Sequence, residues 1–374
     1  MAWPIPVIPE QPVLSPPRYG MWLVILVVIV VSCSLSIIFI GNITAYGQLL
    51  LYGVLPGLLL WLCLFGVALN RYEQSSASAQ AWKEETARTK AQWQQWSRAQ
   101  LAVVGSVLLT PEAEGVSSVL GKLADIPMYP QKARPLFGSP LSLSVRLHEI
   151  DNQLERQCPG YRHHLHTVYL LHAPKLPREP MISAVHGQWG LVPDIIDDIG
   201  RVPILQLESE FSDVVLLLCL QHWPGSFPEK SSEFISAQLL ASPTFAHAHT
   251  LSVIAGMGRM MPLIPGKLSA DLDMLFDYTL LDRDQLQHVW LTGKAENTLA
   301  DIALYAANHN WSLPKERPVH LIDLSFGPPG ELSFGISLAM MAEAISKTSR
   351  DQLVICQAPQ SSGWLCLVTS ELFS

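Results

Sequence analysis

The segment Met21 to Leu69 constrains this chain more than any other. It carries two apolar runs without a charged residue, MWLVILVVIVVSCSLSIIFI (Met21 to Ile40) and LLLYGVLPGLLLWLCLFGVAL (Leu49 to Leu69). Each reaches the ~20 residues that a helix needs to cross ~30 Å of hydrocarbon. Only the uncharged GNITAYGQ separates them. The expected structure is a transmembrane helical hairpin over 21–69. A secretory signal would need a basic start, a short apolar run and a small-residue cleavage site. Here the lead is Pro-rich with one cation, Arg18, and the run is longer. A buried soluble helix fits poorly, because such a run leaves no face for water. Pro56 removes one backbone donor from the second run, so a kink is expected there.

Charge sets the orientation. Arg71, Lys83, Arg88, Lys90 and Arg98 follow the second run, Arg18 precedes the first, and the connecting turn has no cation. The positive-inside rule then places both termini in the cytoplasm and the connecting turn outside. The lipid bilayer is the first expected partner. The formal net charge is −8, and no basic run lies outside the juxtamembrane segment, which argues against nucleic acid. Cys33, Cys63, Cys158, Cys219, Cys356 and Cys366 are scattered without CxxC spacing. They read as reduced cytoplasmic thiols rather than a disulfide framework.

Residues 1–20 read as an extended Pro-rich tail. Residues 70–110 read as an amphipathic helical stalk. Trp82, Thr89, Trp96 and Val103 recur every seven residues, with Thr86 and Trp93 between them. Residues 111–141 include PMYPQKARPLFGSP and read as a loop-rich linker. Residues 142–374 then form a cytoplasmic α/β domain, with pseudo-repeats expected over 142–250 and 251–374. Apolar strands (HTVYLLHA, VPILQLE, SDVVLLLCLQHW, SSEFISAQLLAS, HVWLTG, PVHLIDLS, QLVICQA, GWLCLVTS) alternate with helical segments such as LSADLDMLFDYTLLD, ENTLADIALYAANHNW and ELSFGISLAMMAEAISK. Such alternation means a sheet covered on both faces.

Several constellations read as plain structure. His163, His164, His166 and His172 alternate faces around a strand, so at most two converge, short of a metal site. Gly256-Met257-Gly258 lacks a full GxGxxG, and Gly266-Lys267 lacks the Walker spacing, so both read as turns. DIIDDIG, with Asp194, Asp197 and Asp198, reads as a solvated helix face with Ile195, Ile196 and Ile199 inward, and Glu208 and Glu210 extend that acidic zone. No GxSxG elbow is present. No cofactor site is expected.

From residue 140 onward the element order resembles the thiolase-like fold of β-ketoacyl synthases and thiolases, a five-layered αβαβα pseudodimer. SSEFISAQLLAS resembles the strand where those enzymes carry Glu-Gly-Ala-Ala. HVWLTGKAENTLADIALYA is similar to the segment carrying their first catalytic His, and PVHLIDLSFGPPGELSFGISLAMMAEAI to the one carrying the second. The resemblance implies a Cys nucleophile at a helix N-terminus, where the dipole and amides depress its pKa, and two proton-handling partners. This chain departs from that pattern. Leu291-Thr292-Gly293 stands where the first His is expected, and Gly327-Pro328-Pro329-Gly330 where the second is. Cys219, the remaining candidate nucleophile, lies within an apolar strand. The resemblance also implies a homodimer.

A hairpin anchor, a basic stalk and a domain with an incomplete active site lead to the expectation of a non-catalytic scaffold in a bacterial envelope machine. The arrangement is similar to accessory inner-membrane proteins of type VI secretion clusters, which implies membrane-complex proteins as partners. The alternative is a membrane-bound acyl-transfer or lipid-modifying enzyme whose catalytic residues have no recognisable motif.

Overall fold

The computed structural model describes residues 3–41, 45–121, 125–129, 132–138, 141–172, 177–207, 211–223, 231–293, 295–314, 317–357 and 363–373. The chain divides into two units, one of residues 5–92 and one of residues 1–4 with 93–374.

In the first unit α1 covers Tyr19–Gly41 and α2 Tyr46–Leu49, and α3 begins at Leu55 and ends at Ser97. Both apolar runs form helices long and apolar enough to cross a membrane. Beside the proline where a kink is expected, the helix changes its hydrogen-bond pattern. Leu50–Val54 is a π-helical turn, and the Leu55 N–H bonds back to the Leu50 carbonyl. Pro56 has no N–H and its ring crowds the carbonyl four residues earlier, so the chain absorbs one extra residue just before it. Gly53 and Gly57, one turn apart, face α1 closely. A Cβ at Gly53 would stand 3.1 Å from Ser34 Cα, and one at Gly57 3.2 Å from Val30 Cα. This is backbone-to-backbone packing of the small-xxx-small kind. At one end of the pair Trp61 stacks on Phe65 at 5.0 Å, Trp22 meets Phe65 edge-on at 5.5 Å, and the Trp61 indole donates to the Trp22 carbonyl. The tail is extended as expected, and its Pro9 carbonyl accepts from the Trp82 indole at 3.0 Å.

The stalk ends earlier than its seven-residue stripe implies. After Ser97 the chain becomes β1, Gln100–Leu109. Val103 is therefore a strand residue rather than part of a helical stripe. The α/β unit begins with this strand, before residue 111, so the 111–141 segment is a connection within the domain. The reason is burial: β1 sits in the middle of the sheet, where a β-branched run packs on both faces.

The remaining elements are α4 (Ser117–Leu120), α5 (Leu143–Gln157), β2 (Leu165–His172), α6 (Arg178–Trp189), β3 (Asp194–Ile196), β4 (Val214–Gln221), β5 (Phe234–Ala241) and α7 (Pro243–Ala248). Then come β6 (Ala255–Gly258), β7 (Met261–Pro262), α8 (Leu268–Thr279), β8 (His288–Gly293), α9 (Ala295–Asn308), β9 (His320–Leu321), α10 (Ile322–Phe326), α11 (Ser333–Thr348), β10 (Gln352–Gln357) and β11 (Trp364–Thr369). Four expectations change. DIIDDIG is not a helix face: Asp194–Ile196 is an edge strand, and Asp198 caps a 3-10 turn by accepting from Gly200 N–H at 2.9 Å. VPILQLE is a 3-10 turn over Pro203–Gln206, where Pro203 sets φ for the first turn. PVHLIDLS contributes only two strand residues before α10. Gly256-Met257-Gly258 is a strand, not a turn. Gly258 is needed there because a Cβ would lie 2.9 Å from the Leu367 carbonyl oxygen.

The sheet order is β3-β2-β4-β5-β1-β6-β11-β10-β8-β9. It reads the same from both ends. In the first half β2 runs parallel to β3 and β4, while β5 is antiparallel to β4 and β1. In the second half β8 runs parallel to β9 and β10, while β11 is antiparallel to β10 and β6. The halves join through the antiparallel pair β1–β6. This is a duplicated unit with pseudo-twofold symmetry, and the repeat starts at β1 rather than at 142.

The two copies differ most between the second and third of their parallel strands in chain order. Between β9 and β10 lies α11, with Phe334, Ile336, Leu338, Met340 and Met341 all buried. Between β3 and β4 the described residues hold only 3-10 turns, Ile199–Arg201 and Pro203–Gln206. Consequently α11 packs against β1 and β5 as well as β10, β11 and β8. One helix serves both halves, and its Gly335 lets the backbone close on Cys219 and Ile199. The opposite face of the first half carries a second core under α5 and α6, built on Leu147, Ile150, Leu154, Val185 and Trp189.

Candidate functional site

In sheets of this kind chemistry gathers beyond the carboxyl ends of the parallel strands, where loops and helix N-termini converge. Here that region collects the ends of β8, β10 and β4 and the start of α11. Leu291 and Thr292 are each 1% exposed within β8. Gly293 ends the strand at φ 96°, and any side chain there would collide with the Gln357 carbonyl. Its N–H donates to Asp323 Oδ2 at 2.9 Å. Burial pushes the Asp323 carboxyl above the ordinary carboxylate range, against the pull of that N–H. Ser333, the first residue of α11, lies 3.3 Å from Cys356 Sγ. Burial pushes the Cys356 thiol up to about 11, against the Ser333 hydrogen bond.

The second turn, Gly327-Pro328-Pro329-Gly330, is fastened to the β4–β5 connection. Ser232 N–H donates to the Pro328 carbonyl at 2.7 Å, and Ser232 Oγ donates to the Phe326 carbonyl at 3.0 Å. Gln221 donates to the carbonyls of Pro329 at 2.8 Å and Ser232 at 2.5 Å. Gly327 and Gly330 take positive φ. A Cβ at Gly327 would strike Lys132 O and Ser232 Oγ, and one at Gly330 would stand 2.5 Å from Ser231 Oγ. The chain segment around Lys132 therefore lies directly on this turn. Glu233 closes the assembly by accepting from Trp223 N–H at 2.6 Å and Leu136 N–H at 2.8 Å. Burial raises its pKa, but His222 and those two amides outweigh it and hold the carboxylate below its ordinary range. Gln221, Ser232 and Glu233 thus each bond backbone groups of the same chain.

Cys219 is far from a nucleophile's setting. It lies inside β4, is 1% exposed, and burial pushes its thiol up to about 12. A reactive cysteine has the opposite shift, near a cation or a helix N-terminus. Among the described residues no helix of the first half begins beside it, because the β3–β4 connection there holds only 3-10 turns. Sequence reading placed Cys219 correctly in a strand. It missed Asp323, Ser333, Cys356, Gln221, Ser232 and Glu233, which come together only through contacts between distant segments; the Gln221–Pro329 pair spans 108 positions.

The other candidates stay apart. Among the described residues, no three His, Cys, Asp or Glu side chains are grouped to hold a metal ion. His172 is buried in β2, whereas His164 packs on Phe245 and His249. Asp197 pairs with Arg178 at 2.9 Å on the surface; Glu208 and Glu210 lie outside the described residues. At the amino end of β8, His288 Nδ1 stands 3.1 Å from His320 Nε2, and His320 stacks on Trp290 at 4.4 Å. Burial pushes His320 down to about 3, and Arg317 and His288 add to the shift. In the helical unit a cavity of about 520 Å³ separates tail from helix, lined in part by Pro9, Glu10, Trp82, Lys83 and Lys90.

The duplicated order, the outer helices and the shared α11 define a thiolase-like ketosynthase fold, and solved structures agree. A Streptomyces albus oxazolomycin ketosynthase domain superposes with a TM-score of 0.51 at 10% identity, covering 73% of this chain and 96% of that one. A type II polyketide ketosynthase bound to the hexaketide, solved in complex with its acyl-carrier protein, gives 0.53 at 8% identity, covering 73% of this chain and 100% of that one. At such identities the likeness is one of fold alone. No protein-family model matches the sequence. No curated protein matches it either.

Proposed function

We propose that this protein is a membrane-anchored, non-catalytic platform: two helices hold a thiolase-like domain at the cytoplasmic face of a bacterial inner membrane, where it binds other proteins of an envelope complex. The observation that carries this reading is the closed edge at Gly327–Gly330. Its carbonyls and the neighbouring side chains bond one another, and the dyad-related helix is absent from the described residues of the first half. An acyl-transfer site needs an activated nucleophile and free proton-handling groups. The thiols here are shifted the wrong way. The membrane part of the proposal rests on the length and composition of the two helices and on the one-sided distribution of Lys and Arg. A secretion assembly of the type VI kind is the envelope complex that the overall arrangement most resembles.

The test is fractionation followed by mild-detergent purification of the full chain from its native host. The proposal expects the protein in the membrane fraction after alkaline carbonate washing, and envelope proteins retained with it in stoichiometric amounts. Release by carbonate would contradict the anchor. Purification without any envelope protein would contradict the platform role.

A further inference from the structure

The residues that precede the helical pair are split between the two units. Residues 5–18 belong with the helices, but residues 1–4 belong with the α/β unit. Trp3 is the reason. It is 4% exposed, although it lies in a Pro-rich segment with no secondary structure of its own. Its indole N–H donates to the Met260 carbonyl at 3.1 Å, and its ring meets Trp96 edge-on at 5.8 Å. Trp96 is itself fixed: Trp93 packs edge-on against it at 5.4 Å, and the Arg259 guanidinium lies 3.9 Å from its ring centroid. Arg259 is 7% exposed and donates to the carbonyls of Trp96, Gln206 and Leu207.

This is a built socket rather than chance coverage. A buried arginine braced by three carbonyls holds an indole face, and a free backbone carbonyl beside it takes the one polar atom of a tryptophan. Such sites discriminate, because a ring without the N–H leaves the carbonyl unpaired. An extended Pro-rich segment supplies the complementary ligand, since it carries no internal hydrogen bonds and loses little freedom on docking. We propose that the Met260–Trp96–Arg259 socket is a recognition site for a tryptophan in an extended segment, with this chain's own Trp3 as resident occupant, so that Trp3 acts as a clasp on the α/β unit.

The experiment is hydrogen exchange on the full-length protein in detergent micelles, comparing wild type, Trp3→Ala and Trp3→Phe. The clasp requires Trp3→Ala to speed exchange by about tenfold or more at residues 96–98, 206–207 and 258–261, while amides of β4 and β10 stay unchanged. Trp3→Phe gives a smaller acceleration centred on residues 260–261. A peptide with the sequence MAWPIPVIPE, added to the Trp3→Ala protein, restores protection at those residues, and the same peptide with Ala for Trp does not. Unchanged exchange in Trp3→Ala, acceleration spread over β4 and β10, or equal effects of the two peptides would each overturn the proposal. The readout is taken in detergent, so its failure leaves the membrane anchor untouched, and a failed anchor leaves the clasp untouched.

Discussion

Gly293 shows how tightly a single residue is constrained at the edge of the sheet. It closes β8 with a positive φ, and Gln357 leaves no room for a Cβ. A histidine there would need both a different backbone and a different neighbour. Gly293→Ala is expected to destabilise the α/β unit by at least about 2 kcal/mol, read by denaturant unfolding. An effect near zero would mean that the strand end is looser than described. A second prediction concerns His320. Its folded pKa, pushed down to about 3, lies below the unfolded value near 6.5, so the unfolded chain binds the extra proton. Its contribution is therefore full above about pH 6.5 and is lost as the pH falls toward 3. Between pH 7 and pH 5 it removes about 2 kcal/mol of stability, and His320→Phe, which keeps a ring against Trp290, flattens that part of the profile. An unchanged slope in His320→Phe would assign the acid sensitivity to other groups.

At the scale of elements, the sequence was readable wherever periodicity or length left one choice. Two uninterrupted apolar runs are helices, and LSADLDMLFDYT and SFGISLAMMAEAISKT keep a helical period and form α8 and α11. It was ambiguous for short apolar runs that follow a helix. LAVVGSVLL continues the apolar stripe of the stalk, yet becomes β1, because strand and buried helix share that composition and only sheet partners decide. VPILQLE has strand composition and forms a 3-10 turn for the same reason. That the described residues between β3 and β4 hold no counterpart of α11 was invisible in the sequence, since it shows only when the two halves are laid side by side. In the helical unit the Gly53/Gly57 face yields a direct check. A Cβ at Gly57 would stand 3.4 Å from Cys33 Cβ, close to the spacing of a disulfide. Gly57→Cys is expected to cross-link to Cys33 under mild oxidation, seen as a mass loss of about 2 Da and protection of both thiols from alkylation. Failure of the pair to form would contradict the packing of α1 against α3.

For the whole molecule, the contrast between halves carries the account. A duplicated sheet of this kind offers two places for a central helix, and here α11 fills the middle layer while the first half supplies turns. At the strand ends beside it Gln221, Ser232 and Glu233 bond to the chain's own backbone. Loosening that latch should cost stability without creating activity. Gln221→Ala leaves the Pro329 and Ser232 carbonyls unpaired, an expected loss of about 1–3 kcal/mol in unfolding experiments. The central claim is that the thiolase-like domain binds rather than reacts. It is tested most directly by intact-mass measurement of the detergent-purified full chain after incubation with acyl-coenzyme A and acyl-carrier thioesters. The account predicts an unchanged mass and no thioester consumption. A gain of one acyl group mapped to Cys219 or Cys356 would contradict it.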